Sequence, residues 1–104
     1  DVFEPTSAEL AAFLARVRVA VEERRVRVTD YAREGASALD WNEWDIAEQL
    51  RELTATDWLR CESSVDRDRP ILIWVFEPDF LDGGKLWIRL VERSGVLVVS
   101  LHKG

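Results

Sequence analysis

The sequence has few of the residues that form disulfides and metal centres, and it has no apolar run long enough to span a membrane. Its 104 residues include one cysteine, Cys61, one histidine, His102, and no methionine. A single cysteine excludes an internal disulfide and a four-cysteine zinc site. The longest apolar run, Ile71–Phe76, has six residues, whereas a helix that spans a membrane needs about 20.

The beginning of the chain has no pattern of a targeting signal. It reads Asp-Val-Phe-Glu-Pro, without the charged and apolar regions of a secretory signal peptide. We therefore expect a cytoplasmic protein that does not associate with a membrane. Because the chain contains no methionine, we also expect its native start to lie upstream of residue 1.

Basic residues are outnumbered by acidic ones. Asp and Glu total 20 against 14 Lys and Arg, which gives a net charge of −6. A field of that sign repels nucleic acid, whose binding rests largely on the neutralisation of phosphates. The excess is uneven, because residues 1–52 carry 12 acids and 7 bases while residues 53–104 carry 8 acids and 7 bases. The charge therefore does not exclude an RNA site in the second half, although it predicts weak electrostatic capture of RNA.

Several signatures of catalysis and binding are missing as well. There is no Gly-x-Ser-x-Gly elbow and no phosphate-binding loop. No basic helix has the pattern of a DNA-recognition element. The only histidine and the only cysteine lie far apart in sequence, and no carboxylate spacing suggests metal ligands. We expect no cofactor and no metal ion.

The first half of the chain has the apolar spacing of helices. Thr6 and Glu9 have the spacing of a capping box, and Asp30 and Asp40 are the predicted caps of two further helices. The predicted elements are helices over about 7–24, 31–38 and 41–53, with a short strand at 26–28. The first helix places five apolar residues on one face: Leu10, Phe13, Leu14, Val17 and Val21. The third helix has a stripe of Trp44, Ala47, Leu50 and Leu53.

The second half changes to the period of strands. The predicted strands cover 58–63, 71–76, 85–92 and 96–101, with a polar turn at 66–70, a loop at 77–84 and a hairpin turn at 93–95. Helices followed by hairpin-linked strands indicate an α+β fold. We predict a single domain over 1–104, with a small antiparallel sheet packed on one face by the N-terminal helices. The other face of the sheet is then free to hold a site.

Strand alternation selects the side chains of that free face. If Leu86, Ile88 and Leu90 face the helices, Trp87 and Arg89 face outward. The expected inward residues of the last strand are Leu97, Val99 and Leu101, and the expected outward ones are Val98, Ser100 and His102. In the strand at 58–63, one parity is shared by Trp58, Arg60 and Glu62.

These residue types suit the binding and cleavage of a phosphodiester. Arg60 and Arg89 can each bind a phosphate through two N–H groups. A tryptophan such as Trp87 offers a stacking surface for an unpaired base. His102 is the side chain best suited to exchange a proton near neutral pH.

Each of these residues also has a structural explanation. His102 lies close to the end of the chain and is more often merely exposed in that position. Trp87 could pack across strands. Arg60 and Arg89 could form ion pairs with Glu62 and Glu92. These alternatives stay open from the residues alone.

The order of segments resembles the MqsR family of bacterial toxins. Ala38-Leu-Asp-Trp-Asn-Glu43 is similar to the family's segment that opens the third helix, and Leu53-Thr-Ala-Thr-Asp-Trp-Leu-Arg60 to its Leu-Thr/Ser-x-x-Asp-Phe-Tyr-Lys segment. Val75-Phe-Glu-Pro78 is similar to its Val-Tyr-Arg/Lys-Pro segment. The hairpin of residues 85–103, which ends Val-Ser-Leu-His-Lys, resembles the family's last two strands. The match covers residues 38–104, and the first 37 residues agree in layout.

The resemblance implies a RelE-like fold and a set of site residues. The family's lysine after Asp-Phe-Tyr falls on Arg60, its tyrosine in the penultimate strand on Trp87, and its lysine after Ser-Phe on His102, with Lys103 next to it. Its glutamine falls near Ile73, which has no polar group, and a basic residue of the family is replaced by Glu77.

The implied activity is that of a metal-independent endoribonuclease, an mRNA interferase toxin of a type II toxin–antitoxin system. Its partners would be single-stranded RNA and a cognate antitoxin protein. We assign Arg60, Trp87 and His102 to catalysis, and Arg89, Lys103 and Trp58 to substrate binding. A second hypothesis is a module on the same fold that has lost nuclease activity and acts by binding protein. A third is a nuclease-fold domain that belongs to a longer chain.

Overall fold

The structure, a computed structural model, describes residues 3–66 and 68–104. Asp1, Val2 and Arg67, which belongs to the turn predicted at 66–70, lie outside the described residues. The described chain is α+β, with three α-helices, two 3₁₀ turns (Ala55–Asp57 and Leu81–Gly83) and five strands. In chain order the helices and strands are α1 (Ser7–Glu22), β1 (Val26–Val28), α2 (Asp30–Ser37), α3 (Glu43–Arg51), β2 (Trp58–Asp66), β3 (Arg69–Phe76), β4 (Leu86–Glu92) and β5 (Val96–Lys103).

Helix α1 begins at the predicted capping box. The Glu9 amide donates to the Thr6 hydroxyl at 3.1 Å, and the Thr6 amide donates to the Glu9 carboxylate at 2.9 Å, so two otherwise unpaired N–H groups are satisfied. The predicted apolar face is buried, as expected. No helix in the described part of the chain is both long and apolar enough to cross a membrane.

The other two helices are capped by residues that the sequence analysis did not select. Helix α2 is capped by Thr29, one residue before the predicted Asp30. Helix α3 is capped by Asn42, in a capping box with Asp45, rather than by Asp40. Asp40 has a φ of 61°, which lies in the left-handed region, so the helical backbone can begin only after it.

The five strands form one mixed sheet in the order β1-β5-β4-β3-β2. Strands β2 to β5 form the predicted antiparallel meander. The prediction of a purely antiparallel sheet is wrong, because β1 pairs with β5 in parallel. Two parallel strands must be joined by a crossover connection. Here the segment from α2 to β4 connects β1 to β5.

The helices cover one face of the sheet. Phe13 of α1 stacks on Trp74 of β3, with ring centroids 4.0 Å apart and planes at 5°. The helix α3 residues Ile46 and Leu50 belong to the same core. Trp44 departs from the predicted stripe, because 73% of it is exposed. The strand residues of this core are Cys61, Trp74, Phe76, Leu86, Ile88, Leu90, Val96, Val98 and Leu101.

A register shift in the β4–β5 ladder changes the predicted parity of β5. In β5 the register shifts opposite the Arg89–Leu90 step, so that Leu90 pairs with Val98 while Arg89 pairs with Ser100. Val98 is therefore buried in the core, and the prediction that Leu97 and Val99 face inward is wrong. An extra residue of this kind is a β-bulge, which sequence alternation cannot reveal.

Helix α2 lies directly against the end of β5. A Cβ atom built on Gly35 would lie 1.8 Å from the carbonyl oxygen of Leu101. The Thr29 hydroxyl donates to the carbonyl of Val99 at 2.7 Å. Gly35, which weakens the helix by propensity, is thus the residue that permits this close approach.

We expect Gly35→Ala to lower the free energy of unfolding by about 1–3 kcal/mol, the usual cost of overpacking. This loss opposes a gain in helix propensity of up to about 1 kcal/mol. Urea denaturation of the variant measures the difference. The matched control is Ser37→Ala at the exposed last residue of α2, which we expect to change stability little. A Gly35→Ala protein as stable as the wild type would contradict the proposed packing.

Candidate functional site

The open face of the sheet carries Arg60, Glu62, Ile73, Val75, Trp87, Arg89, Ser100 and His102. The pairing of β2, β3 and β4 places Arg60 and Arg89 on either side of Val75. The pairing of β4 with β5 places Trp87 opposite His102. Because directly paired residues point to the same side of a sheet, strand register alone gathers these side chains.

Trp87 contacts both of the predicted phosphate-binding arginines. The guanidinium carbons of Arg60 and Arg89 are each 5.1 Å from the centroid of its ring. Both distances fall within the range of a cation–π interaction. The structure therefore brings together three of the predicted site residues, and with Glu62 they form what we call the open-face cluster: Arg60, Glu62, Trp87 and Arg89.

Glu62 joins the two arginines. Its Oε2 accepts from Nε of Arg60 at 2.9 Å, with Nη2 of the same guanidinium at 2.8 Å. Its Oε1 accepts from Nε of Arg89 at 3.0 Å. The ion pair that the sequence analysis left open for both arginines is thus present with Glu62, while Glu92 pairs with Arg16. The two cations and one anion leave the cluster with a net charge of +1.

The arginines stabilise the charged form of Glu62. The hydrogen bond from Arg89 is the largest influence, and with the hydrogen bond from Arg60 it holds the pKa of Glu62 below its usual value. Partial burial acts in the opposite direction and is outweighed. Glu62 is therefore a carboxylate at neutral pH.

The cluster retains donors for a bound anion. A guanidinium has five N–H groups, and Glu62 contacts two nitrogens of Arg60 and one of Arg89. The other guanidinium N–H groups contact no acceptor among the described residues. Side-chain exposure of 42% for Arg60 and 28% for Arg89 keeps these groups accessible to a ligand.

His102 is half-buried beside this cluster, in cross-strand register with Trp87. Its Nδ1 lies 3.2 Å from the carbonyl oxygen of Lys103. A carbonyl oxygen can only accept, so the tautomer that makes this hydrogen bond carries its proton on Nδ1 and presents Nε2 as an acceptor. The ring also meets Tyr31 edge-on, with centroids 6.4 Å apart.

Ser100 lies between Arg89 and His102 on the same face. It is only 3% exposed, and its hydroxyl has no hydrogen-bond partner among the described residues. A buried hydroxyl without a partner is unusual. Because the hydroxyl itself is buried, a ligand does not reach it in this arrangement.

Two of the predicted binding residues do not join the cluster. The register shift between Trp58 and Arg60 pairs Trp58 with Phe76 of the core, and Trp58 packs against the helix side. The prediction that Trp58 shares the parity of Arg60 is therefore wrong. Lys103 follows His102 on the alternate parity and extends toward Gly84, whose built Cβ would lie 3.6 Å from its Cε.

Two residues of the site were not selected from the sequence. Glu62 was considered only as an ion-pair partner, although its position between two arginines makes it central to the site. Tyr31 lies in α2, and 63% of it is exposed. Nothing in the sequence signals its contact with His102, because the two residues are 71 positions apart.

No model of a known protein family matches the chain, and no curated protein matches it at a significant level. Among the described residues, no group of three or more histidine, cysteine, aspartate or glutamate side chains could hold a metal ion.

We expect the stabilising effect of Glu62 to depend on pH. Folding lowers the pKa of Glu62, so its contribution to the free energy of unfolding is complete above the unfolded pKa of about 4.3. This contribution is lost as the pH falls through the lower pKa of the folded state. The free energy of unfolding of the wild type should exceed that of Glu62→Gln by about 1 kcal/mol or less at pH 7, because the side chains are partly exposed. Urea denaturation at pH 7 and pH 3 measures whether the difference shrinks. A difference that is constant with pH would contradict this account.

Proposed function

We propose that the protein is a metal-independent endoribonuclease, an mRNA interferase toxin of a type II toxin–antitoxin system with a RelE-like fold. The supporting observation is the open-face cluster, in which both guanidinium carbons lie 5.1 Å from the centroid of the Trp87 ring, with His102 directly opposite Trp87 on the neighbouring strand. The resemblance to the MqsR toxins supports the same assignment at three of these positions. The substrate is single-stranded RNA, whose unpaired bases are free to stack on an aromatic ring.

In the proposed reaction the 2′-hydroxyl of RNA attacks the adjacent phosphorus. The 2′-O–P bond forms, the P–O5′ bond breaks, and the products are a 2′,3′-cyclic phosphate and a 5′-hydroxyl. His102 Nε2 takes the proton of the 2′-hydroxyl, and the leaving 5′ oxygen takes a proton from solvent. The free N–H groups of Arg60 and Arg89 stabilise the negative charge that develops on the phosphoryl oxygens.

Trp87 positions the substrate in this scheme. A base stacked on its ring places the adjoining phosphodiester beside the two arginines, since both contact the same indole. Base stacking on an aromatic side chain is worth about 1–3 kcal/mol. This contribution offsets the long-range repulsion that a net charge of −6 implies for RNA.

We expect His102→Ala to lower the rate of cleavage of a single-stranded RNA by about 10²-fold or more, because general base catalysis is lost. Arg60→Ala should lower it at least tenfold through the loss of phosphate stabilisation. Gel analysis of a labelled oligonucleotide measures both effects. Arg16→Ala is the matched control, since Arg16 pairs with Glu92 away from the open-face cluster. Wild-type rates in both site variants would show that the assignment is wrong.

We expect the reaction to require a 2′-hydroxyl at the cleaved position. A DNA strand of the same sequence should remain intact, and one 2′-deoxynucleotide placed 5′ of the cleaved bond should protect an RNA. Cleavage of the deoxy substrate would rule out attack by the 2′-hydroxyl.

A second candidate function is a protein-binding module that has lost nuclease activity. Two observations favour it: Ile73 pairs with Glu62 on the open face without offering a polar group, and Glu62 neutralises one of the two arginines. The partner would be the antitoxin. Expression with and without the neighbouring gene separates the two candidates. Growth arrest that the neighbour relieves supports the nuclease, whereas a stable complex without RNA cleavage supports the module.

A further inference from the structure

We propose that Glu62 is a positioning residue of the site: it holds the guanidiniums of Arg60 and Arg89 in fixed orientations against Trp87, so that their remaining N–H groups meet the phosphate of a bound RNA. This inference rests on the proposed function and adds a residue and a role to it. Glu62 itself touches neither the reacting atoms nor the base in this arrangement.

The contacts show how one carboxylate fixes two long side chains. Each oxygen of Glu62 accepts from the Nε of a different arginine, at 2.9 and 3.0 Å. An Nε–H bond sets the orientation of a guanidinium plane, since that group lies at the base of the rigid fork. The opposite end of the fork carries the terminal amino groups that bind phosphate in pairs.

Preorganisation is the physical advantage of this arrangement. An arginine side chain carries about 2 kcal/mol of rotamer entropy, and a free pair of arginines would lose it when the phosphate binds. In the structure both side chains are already held by Glu62 and by the ring of Trp87. Donors that are oriented before the reaction stabilise developing charge most effectively.

Two simpler explanations fit the structure less well. A carboxylate that merely blocks the anion site would occupy the terminal amino groups of both arginines, but it contacts Arg89 only through Nε. An ion pair that only stabilises the fold needs a single arginine. Glu92, for example, accepts both of its hydrogen bonds from Arg16. Glu62 instead divides its oxygens between two arginines on strands that are not adjacent.

The decisive variants are Glu62→Gln and Glu62→Asp. The first keeps the shape of the side chain and removes its charge. The second keeps the charge but is one methylene too short to bridge both Nε groups. We expect both variants to lower kcat for cleavage of a single-stranded RNA by about tenfold or more, as misplacement by about 1 Å does in other active sites. KM should not rise in Glu62→Gln, because the cluster changes from +1 to +2 and attracts RNA more strongly.

A second measurement reports the positioning directly. In the wild type, NMR signals of the Nε–H groups of Arg60 and Arg89 should be sharp and slow to exchange with water, and should shift on addition of inorganic phosphate. Both signals should broaden in Glu62→Gln and in Glu62→Asp. Glu92→Gln is the matched control. It removes a bidentate arginine pair and should leave kcat and both signals unchanged.

The outcomes separate this inference from the function on which it rests. A wild-type protein without cleavage activity overturns the proposed function. An active wild type with unchanged kcat in both Glu62 variants overturns the positioning role alone. A lower KM with an unchanged or higher kcat in Glu62→Gln would also overturn it, since it would identify Glu62 as a competitor of the phosphate.

Discussion

The stacking of Phe13 on Trp74 determines which face of the sheet the helices cover. Once Trp74 points to the helices, its strand neighbours Cys61 and Leu90 must do so as well, because paired residues share a side. Because side chains alternate along a strand, Val75 then points outward, and so do its strand partners Arg60 and Arg89. The open-face cluster is in this sense a consequence of an apolar contact on the other side of the sheet.

The open face combines low exposure with a small positive charge. Val75 is fully buried there although it does not belong to the helix-side core. Its strand partners are Arg60 and Arg89, whose long aliphatic stems can cover it. The arginines thus serve the packing of the sheet as well as its electrostatics. The same side chains would be held in place even without a ligand, which is the condition for a preorganised anion site.

Much of the fold followed from local pattern, and the errors have local causes. The helices, the strand order of the meander and the gathering of Arg60, Trp87 and Arg89 all depend on periodicity. Trp58 and Val98 were placed on the wrong faces, because a single bulge reverses parity and leaves no mark in the sequence. The parallel pairing of β1 was missed because it joins segments about 70 residues apart. The role of Glu62 was missed because it depends on register across three strands.

We propose above all that single-stranded RNA binds on the open face. The most direct test is an NMR titration with a single-stranded oligonucleotide that carries 2′-deoxy substitutions and cannot be cleaved. We expect the largest shifts at the Nε–H groups of Arg60 and Arg89, the indole N–H of Trp87 and the ring of His102. Shifts confined to the α1 and α3 surface around Trp44, or no shifts at oligonucleotide concentrations that saturate other single-strand-binding proteins, would contradict it.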